Sequence, residues 1–299
     1  MARCTLVSFS VAVAAACLQA AQPPAFDGAR AYEHIRQMVT LGPRPAGSPA
    51  LEQTRAYIRK ELAAIGLKAD DQPFEPSTPI GPIKMVNLRA TLPGPGQGRL
   101  VIAGHYDTKL FRDFPFVGAN DAGSSAAFLI ELARVLKARS NGMTIELLWL
   151  DGEEATGDWA GTDHTYGSRY YVQTAQKNGT LKDVKALVLV DMIGDKQLVL
   201  KREANSTRWL TDTIWAAAKR LKRPEFVDTS TPIEDDHMEF LEAGVQAVDL
   251  IDLEYPDQTM RYWHTKDDTL DHVAAGSLQA VGDVLLAALP EIEKRLNGK

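Results

Sequence analysis

Three apolar, strand-like runs end in acidic residues, and this pattern restricts the chain to a narrow set of folds. Leu100–Gly104 leads to Asp107, Ile145–Leu150 to Glu153 and Glu154, and Leu187–Val190 to Asp191. Runs this apolar suit central strands covered on both faces. Helical patterns alternate with them: Ala29–Thr40, a helix opening at Ser48-Pro49, Ser124–Ala138, Ser206–Leu221, Met238–Ala243 and Gly276–Leu296. Further strands are expected at Met85–Leu92, Arg99–Ala103 and Ala247–Ile251, with a Pro93-Gly94-Pro95-Gly96 turn between the first two. Strands alternating with helices predict one α/β domain, a mostly parallel sheet with helices on both faces. Sites in such sheets gather at the carboxyl ends of the strands, where these acidic residues fall.

The remaining polar signals fit a metal centre at that end. Asp121 lies in Gly118-Ala119-Asn120-Asp121-Ala122-Gly123, Glu154 follows a strand, and His264 sits in Trp263-His264-Thr265. One Asp, one Glu and one His are a plausible set of zinc ligands with a fourth position left open. Glu153, the spare carboxylate, stands where a general acid/base belongs. These ligand types also suit other divalent ions.

The first residues read differently. Arg3, an apolar stretch from Leu6 to Leu18 and small residues up to Ala21 describe a signal peptide over residues 1–20, cut after Ala20 or Ala21. The stretch is too short to span a bilayer, and Ala14-Ala15-Ala16-Cys17 lacks the usual Leu of a lipid-anchoring signal. Export to a periplasm or out of the cell is expected, with residues 21–299 as the catalytic domain. Both cysteines, Cys4 and Cys17, fall in the leader, so the mature chain has no disulfide; a domain of this size needs none. A net charge of -6 without a basic stripe gives no reason to expect nucleic-acid binding. No stable membrane insertion is expected, and a monomer is the expected state.

In order and spacing, these segments resemble the zinc-dependent M28 peptidase superfamily, and within it the glutaminyl-peptide cyclotransferases of the animal type. The resemblance rests on Arg44-Pro45-Ala46-Gly47-Ser48-Pro49, Gly104-His105-Tyr106-Asp107-Thr108-Lys109, Asp151-Gly152-Glu153-Glu154, Val190-Asp191-Met192-Ile193-Gly194 and Trp263-His264-Thr265 with Asp267-Asp268. Ordinary M28 aminopeptidases follow the paired glutamates almost at once with a Gly-Ser turn. Here twelve residues, Ala155 to Tyr166, intervene, and they carry Trp159. Cyclases have a tryptophan-bearing loop of this kind. Asp235-Asp236-His237 with Phe240 and Gly244 also resembles the cyclase segment. Three departures stand out: Glu234 in place of Gln, Asp249 in place of His, and a longer stretch from Pro256 to Tyr262.

The resemblance implies cyclisation of an N-terminal glutamine of a peptide or protein, with release of ammonia. Zinc on Asp121, Glu154 and His264 would bind the γ-carbonyl oxygen, and Glu153 would carry the proton. Asp191 and Asp235 would hydrogen-bond around Glu153, and Trp159, Tyr255 and Trp263 would line an apolar pocket. Blander roles stand beside these: Asp191 or Asp235 capping an element, Trp159 anchoring its loop, Tyr255 packing in the core. His105 and Asp191 match residues that hold a second metal in two-zinc M28 peptidases, or else they hydrogen-bond behind the first site. A two-metal aminopeptidase is thus the alternative, with metals about 3.5 to 4 Å apart. A binding protein on an inactive scaffold would have lost metal ligands, and none is missing.

Overall fold

The computed structural model describes Met1 and residues 24–298. The expected leader, with Cys4 and Cys17, lies outside the described residues apart from Met1. In chain order the elements are α1 (Gly28–Val39), α2 (Pro49–Ala64), β1 (Ala69–Phe74), the two short strands β2 (Ser77–Thr78) and β3 (Gly81–Pro82), β4 (Met85–Leu92), β5 (Gly96–His105), α3 (Gly123–Ala138) and β6 (Met143–Leu150). Then follow α4 (Tyr166–Lys177), β7 (Val184–Asp191), β8 (Leu200–Glu203), α5 (Arg208–Leu221), β9 (Phe226–Thr231), α6 (His237–Glu242), β10 (Gln246–Ile251) and α7 (Ala275–Leu296).

The main sheet runs β1-β4-β6-β5-β7-β10. Strands β6, β5, β7 and β10 are mutually parallel, while β4 joins β6, and β1 joins β4, in antiparallel fashion. The Pro-Gly turn after β4 therefore does not close a hairpin, because β6 lies between β4 and β5. Register aligns the ends of the parallel strands: His105 pairs with Leu150, and Asp191 with Ile251. Four strand ends thus open on one edge, as the acidic strand termini predict.

Alternation along each strand divides the core in two. Leu100 and Ile102 of β5 face a core shared with α1, α2, α3, α5 and α7, whereas Val101 and Ala103 face Tyr171 and Val172 of α4 and Phe240 of α6. Helix α7 is long and apolar enough to cross a membrane, but its Leu278, Val281, Leu285 and Leu289 are fully buried in the larger core. At the start of α2, the Ser48 hydroxyl accepts the Leu51 N–H at 3.1 Å and Pro49 holds the first helical position, as read from the sequence. The Gly-Ser pair at 167–168 is not a turn; it lies in the first turn of α4.

Helix α3 packs tightly over β5 just behind the acidic edge. Ser125 of α3 donates to the His105 carbonyl at 2.9 Å. A side chain at Gly104 would put its Cβ 2.7 Å from Ser125 Cβ and 2.8 Å from the Val190 carbonyl oxygen. Gly104→Ala therefore overpacks a rigid helix–sheet contact, and urea unfolding should show a loss of about 1–3 kcal/mol. An unchanged midpoint would mean that α3 can shift away from the sheet.

Candidate active site

The site is assembled from the loops leaving β5, β6, β7 and β10. Asp107 holds the loop after β6: its carboxylate accepts the backbone N–H groups of Glu153 (3.1 Å) and Glu154 (3.3 Å). Gly152, at φ +73°, makes the turn just before them; a Cβ there would lie 2.5 Å from Met85 Sδ. Asp268 does the same for the loop before α3, accepting the N–H groups of Asn120 (2.8 Å) and Asp121 (3.0 Å). The buried guanidinium of Arg44 donates to the Val117 and Gly118 carbonyls, at 2.8 and 3.0 Å, and steadies the chain leading to Asp121. Ala122, Met192 and His264 all take positive φ, next to or at site residues. Non-glycine residues held there cost of order 1 kcal/mol or more each, a cost the surrounding packing must offset.

These anchors bring the three expected ligands together. His264 Nε2 lies 3.1 Å from Asp121 Oδ2 and 3.2 Å from Glu154 Oε1. One donor atom from each of Asp121, Glu154 and His264 falls within 4.8 Å of the others. Both Glu154 oxygens are buried without a hydrogen-bond partner among the described residues; the charges that face them are His264 at Oε1 and the Lys109 ammonium, 3.8 Å from Oε2, and a bound cation would satisfy them further. Burial alone would push the His264 imidazole down, yet Glu154 and Asp121 raise it to about 10. Burial would likewise push Asp121 up, but His105 and His264 outweigh it and hold that carboxyl low. The donor set and its spacing fit a zinc ion bound by nitrogen and oxygen ligands.

Behind this triad lies a second acidic cluster. His105 Nε2 is 3.0 Å from Asp191 Oδ1 and 3.3 Å from Asp121 Oδ1, and its Nδ1 is 3.7 Å from Glu153 Oε2. His105, Asp121 and Asp191 also present donor atoms within 4.8 Å of one another. Burial, with Glu154 and Asp235 nearby, pushes the Glu153 carboxyl well above the usual range despite His105. Burial and then Asp191 raise Asp235 to about 7. Asp235 does not cap α6 with its side chain; Oδ1 accepts the Asp236 N–H, and Oδ2 has no partner. No hydrogen bond joins Glu153 to Asp191 or Asp235 among the described residues; Asp235 acts on Glu153 through charge rather than direct contact.

A cavity of about 460 Å³ opens over the triad. Asp121, Glu153, Glu154, Asp191, Asp235 and His264 line its floor, and Trp159, Ile233, Leu253 and Trp263 its walls. Trp263 stacks on His264 at 4.2 Å. Tyr255, expected in the wall, is not there. It is fully buried, packed with Met192 and Ile251, because its hydroxyl is drawn to Asp268 Oδ1 at 3.1 Å. Its place is beneath the ligand loop, not against a substrate. Of the three departures, Glu234 reaches the cavity, Asp249 is fully buried behind it with no hydrogen-bond partner on either oxygen, and residues 256–262 do not line it. The roles of Asp268, Arg44 and Asp107 were not legible, although all three lie inside the quoted motifs. A carboxylate that anchors a loop looks, in sequence, like one that binds a metal.

Comparison with known proteins gives the family. Residues 87–289 match the model of peptidase family M28, and the chain belongs to that family. Relatives named as glutaminyl cyclases and a named aminopeptidase both match. A glutaminyl-peptide cyclotransferase-like protein of Mus musculus is 31% identical over 280 residues, covering 83% of this chain and 72% of its own. The crystal structure of an Acidobacteriales bacterium glutaminyl cyclase superposes with a TM-score of 0.86 at 39% identity, covering 96% of this chain and 100% of that one. A leucine aminopeptidase precursor from Bacteroides thetaiotaomicron VPI-5482 matches with a TM-score of 0.80 at 26% identity, over 89% of this chain and 98% of that one. The mixed α/β architecture is that of the glutaminyl cyclase structures.

Removing the Asp268 carboxylate frees the backbone of Asp121 and unpairs Tyr255. Asp268→Ala should weaken zinc binding about 10- to 100-fold, the usual cost of losing a group that orients a ligand. Competition with a chromogenic chelator measures this; equal affinity in folded protein would refute the anchoring role.

Proposed function

We infer that the protein is a glutaminyl-peptide cyclotransferase, converting the N-terminal glutamine of peptides or proteins to pyroglutamate with release of ammonia. The observation that carries the reading is one cavity joining the Asp121–Glu154–His264 triad, the free carboxylate of Glu153 and the indole of Trp159 on the loop inserted after the paired glutamates. Cyclisation is intramolecular, so most of the work is to fold the glutamine side chain back on its own α-amine and keep it there. Trp159, Trp263, Ile233 and Leu253 provide an apolar enclosure for that side chain. Zinc held by Asp121, Glu154 and His264 would polarise the γ-carbonyl and stabilise the negative charge developing on its oxygen.

Glu153 takes the proton from the α-amine as its nitrogen attacks the carbonyl carbon of the side-chain amide, and returns a proton to the amide nitrogen as the C–N bond breaks and ammonia departs. A carboxyl with affinity raised by burial suits both halves of that transfer. Burial sets that affinity first, with Glu154 and Asp235 raising it further. A two-metal aminopeptidase is supported by one observation, the second donor group His105–Asp121–Asp191.

Incubating the metal-loaded protein with Gln-Phe-Ala separates the two by mass spectrometry. Cyclisation removes 17 Da, about one ammonia, and leaves the chain intact, and Glu153→Gln should slow it about 10²- to 10⁴-fold with zinc retained. Release of free glutamine would sink the cyclase reading. We also infer export, supported by the leader-like pattern of residues 1–20. N-terminal sequencing of protein recovered outside the cytoplasm should begin at Ala21 or Gln22; an intact Met1 there would refute cleavage.

A further inference from the structure

The cavity wall formed by Trp159 is unlike the others. Ile251 and Leu253 belong to or directly follow β10, and Trp263 is stacked on a metal ligand. Trp159 stands on a loop, is 37% exposed, and is held mainly by two polar neighbours. Its indole Nε1 donates to Glu234 Oε2 at 3.1 Å. Its ring lies flat on the His164 imidazole, with centroids 4.2 Å apart and planes 7° from parallel. His164 Nε2 is in turn 3.9 Å from Glu234 Oε1, while its Nδ1 lies 3.1 Å from the Thr165 hydroxyl. Three side chains, from two loops far apart in sequence, thus close on one another at the mouth of the cavity.

The backbone of the loop is fixed by other means. Asp163 accepts the N–H groups of Thr156 (3.0 Å) and Gly157 (2.7 Å). Arg169 donates to the carbonyls of Thr162 and His164, each at 3.0 Å. The loop can therefore keep its shape without Glu234, whereas the indole cannot keep its direction without its two partners. Glu234 is also one of the positions at which this chain departs from the animal-type cyclases, and a carboxylate accepts the indole N–H as well as an amide oxygen does.

We propose that Glu234 and His164 are positioning residues: together they latch Trp159 into the cavity wall and so set how tightly the substrate's terminal residue is held, without taking part in the chemistry. This rests on the cyclase reading for the identity of that residue, but not for the latch itself. The wall encloses the substrate side chain, whereas the metal-ligand triad and Glu153 lie on the floor. Loosening the latch should therefore raise KM and spare kcat.

The test compares wild type, Glu234→Ala, Glu234→Gln, His164→Ala and His164→Phe as zinc-loaded proteins. KM and kcat are measured on Gln-Phe-Ala, using whichever product the wild type makes, pyroglutamyl peptide or free glutamine. Acrylamide quenching of Trp159 is taken as the difference between each protein and its Trp159→Phe counterpart. Losing one hydrogen bond or the stacking partner should raise KM about three- to tenfold, with kcat within about twofold. Trp159 should become more quenchable in both alanine variants. Glu234→Gln, which keeps an acceptor, and His164→Phe, which keeps a flat ring, should restore both readouts. The latch is refuted if quenching of Trp159 does not change in the alanine variants. Its role in binding is refuted if quenching rises while KM stays at the wild-type value, or if kcat falls instead. Free glutamine as the only product would overturn the cyclase reading while these two readouts still decide the latch.

Discussion

Mutual repulsion among Asp121, Glu153, Glu154, Asp191 and Asp235, all buried at one edge of the sheet, governs what this fold has to solve. Two like charges about 4 Å apart at an effective dielectric of about 20 repel by about 4 kcal/mol. Several such pairs rival the whole stability of a domain, about 5–15 kcal/mol. The charges are therefore not all carried at once. Some are neutralised by protons, as the raised affinities of Glu153 and Asp235 imply. Asp121 stays low only because two imidazoles face it. A divalent cation held by the triad would relieve the remainder, and would link metal binding to the folding of this edge.

Similar carboxylates are put to different uses by what they touch. Asp107 and Asp268 spend their oxygens on backbone N–H groups, so they act as fixed brackets that shape the loops carrying Glu153, Glu154 and Asp121. Glu154 makes no such bond and is left open for a metal. Glu153 is likewise uncommitted, and lies beside the triad with its charge disfavoured. A carboxylate with its lone pairs already occupied has little left for a metal or a proton; one without is available for both. Hydrogen bonding, more than position in the chain, separates scaffold from ligand and ligand from base.

That distinction also explains what the sequence could convey. Strands β5, β6 and β7 were legible because burial on both faces leaves nearly unbroken apolar runs, and α3 and α7 because their apolar stripes are wide. Strand β1, Ala69–Phe74, was not: it is an edge strand carrying two aspartates and a proline, half exposed and without a clear period. Helix α4 starts from a left-handed Thr165 and buries little besides Tyr171, Val172 and Ala175 after its first turn, too sparse a stripe to stand out. The triad was visible through motif order, and the structure brings its members together. Tyr255 was misplaced because an aromatic beside a pocket motif reads the same whether it faces the cavity or the ligand loop below. Only its hydroxyl's partner, Asp268, decides between them, and that partner is 13 residues away.

Retention of a second donor group, His105–Asp121–Asp191, beside the triad shows why this scaffold can support more than one reaction. As found, His105 and Asp191 lie at hydrogen-bonding distance from each other. A second metal would have to separate them and also share Asp121 with the first. The loop from Ala155 to Thr165 acts on the other side of the site, bringing an indole into the cavity wall. An enclosure of about 460 Å³ that grips one side chain favours a reaction within that residue. Hydrolysis of the following peptide bond needs instead an activated water placed against that bond. The choice between the two thus lies less in the metal ligands, which both chemistries share, than in the insertion that closes around the terminal residue.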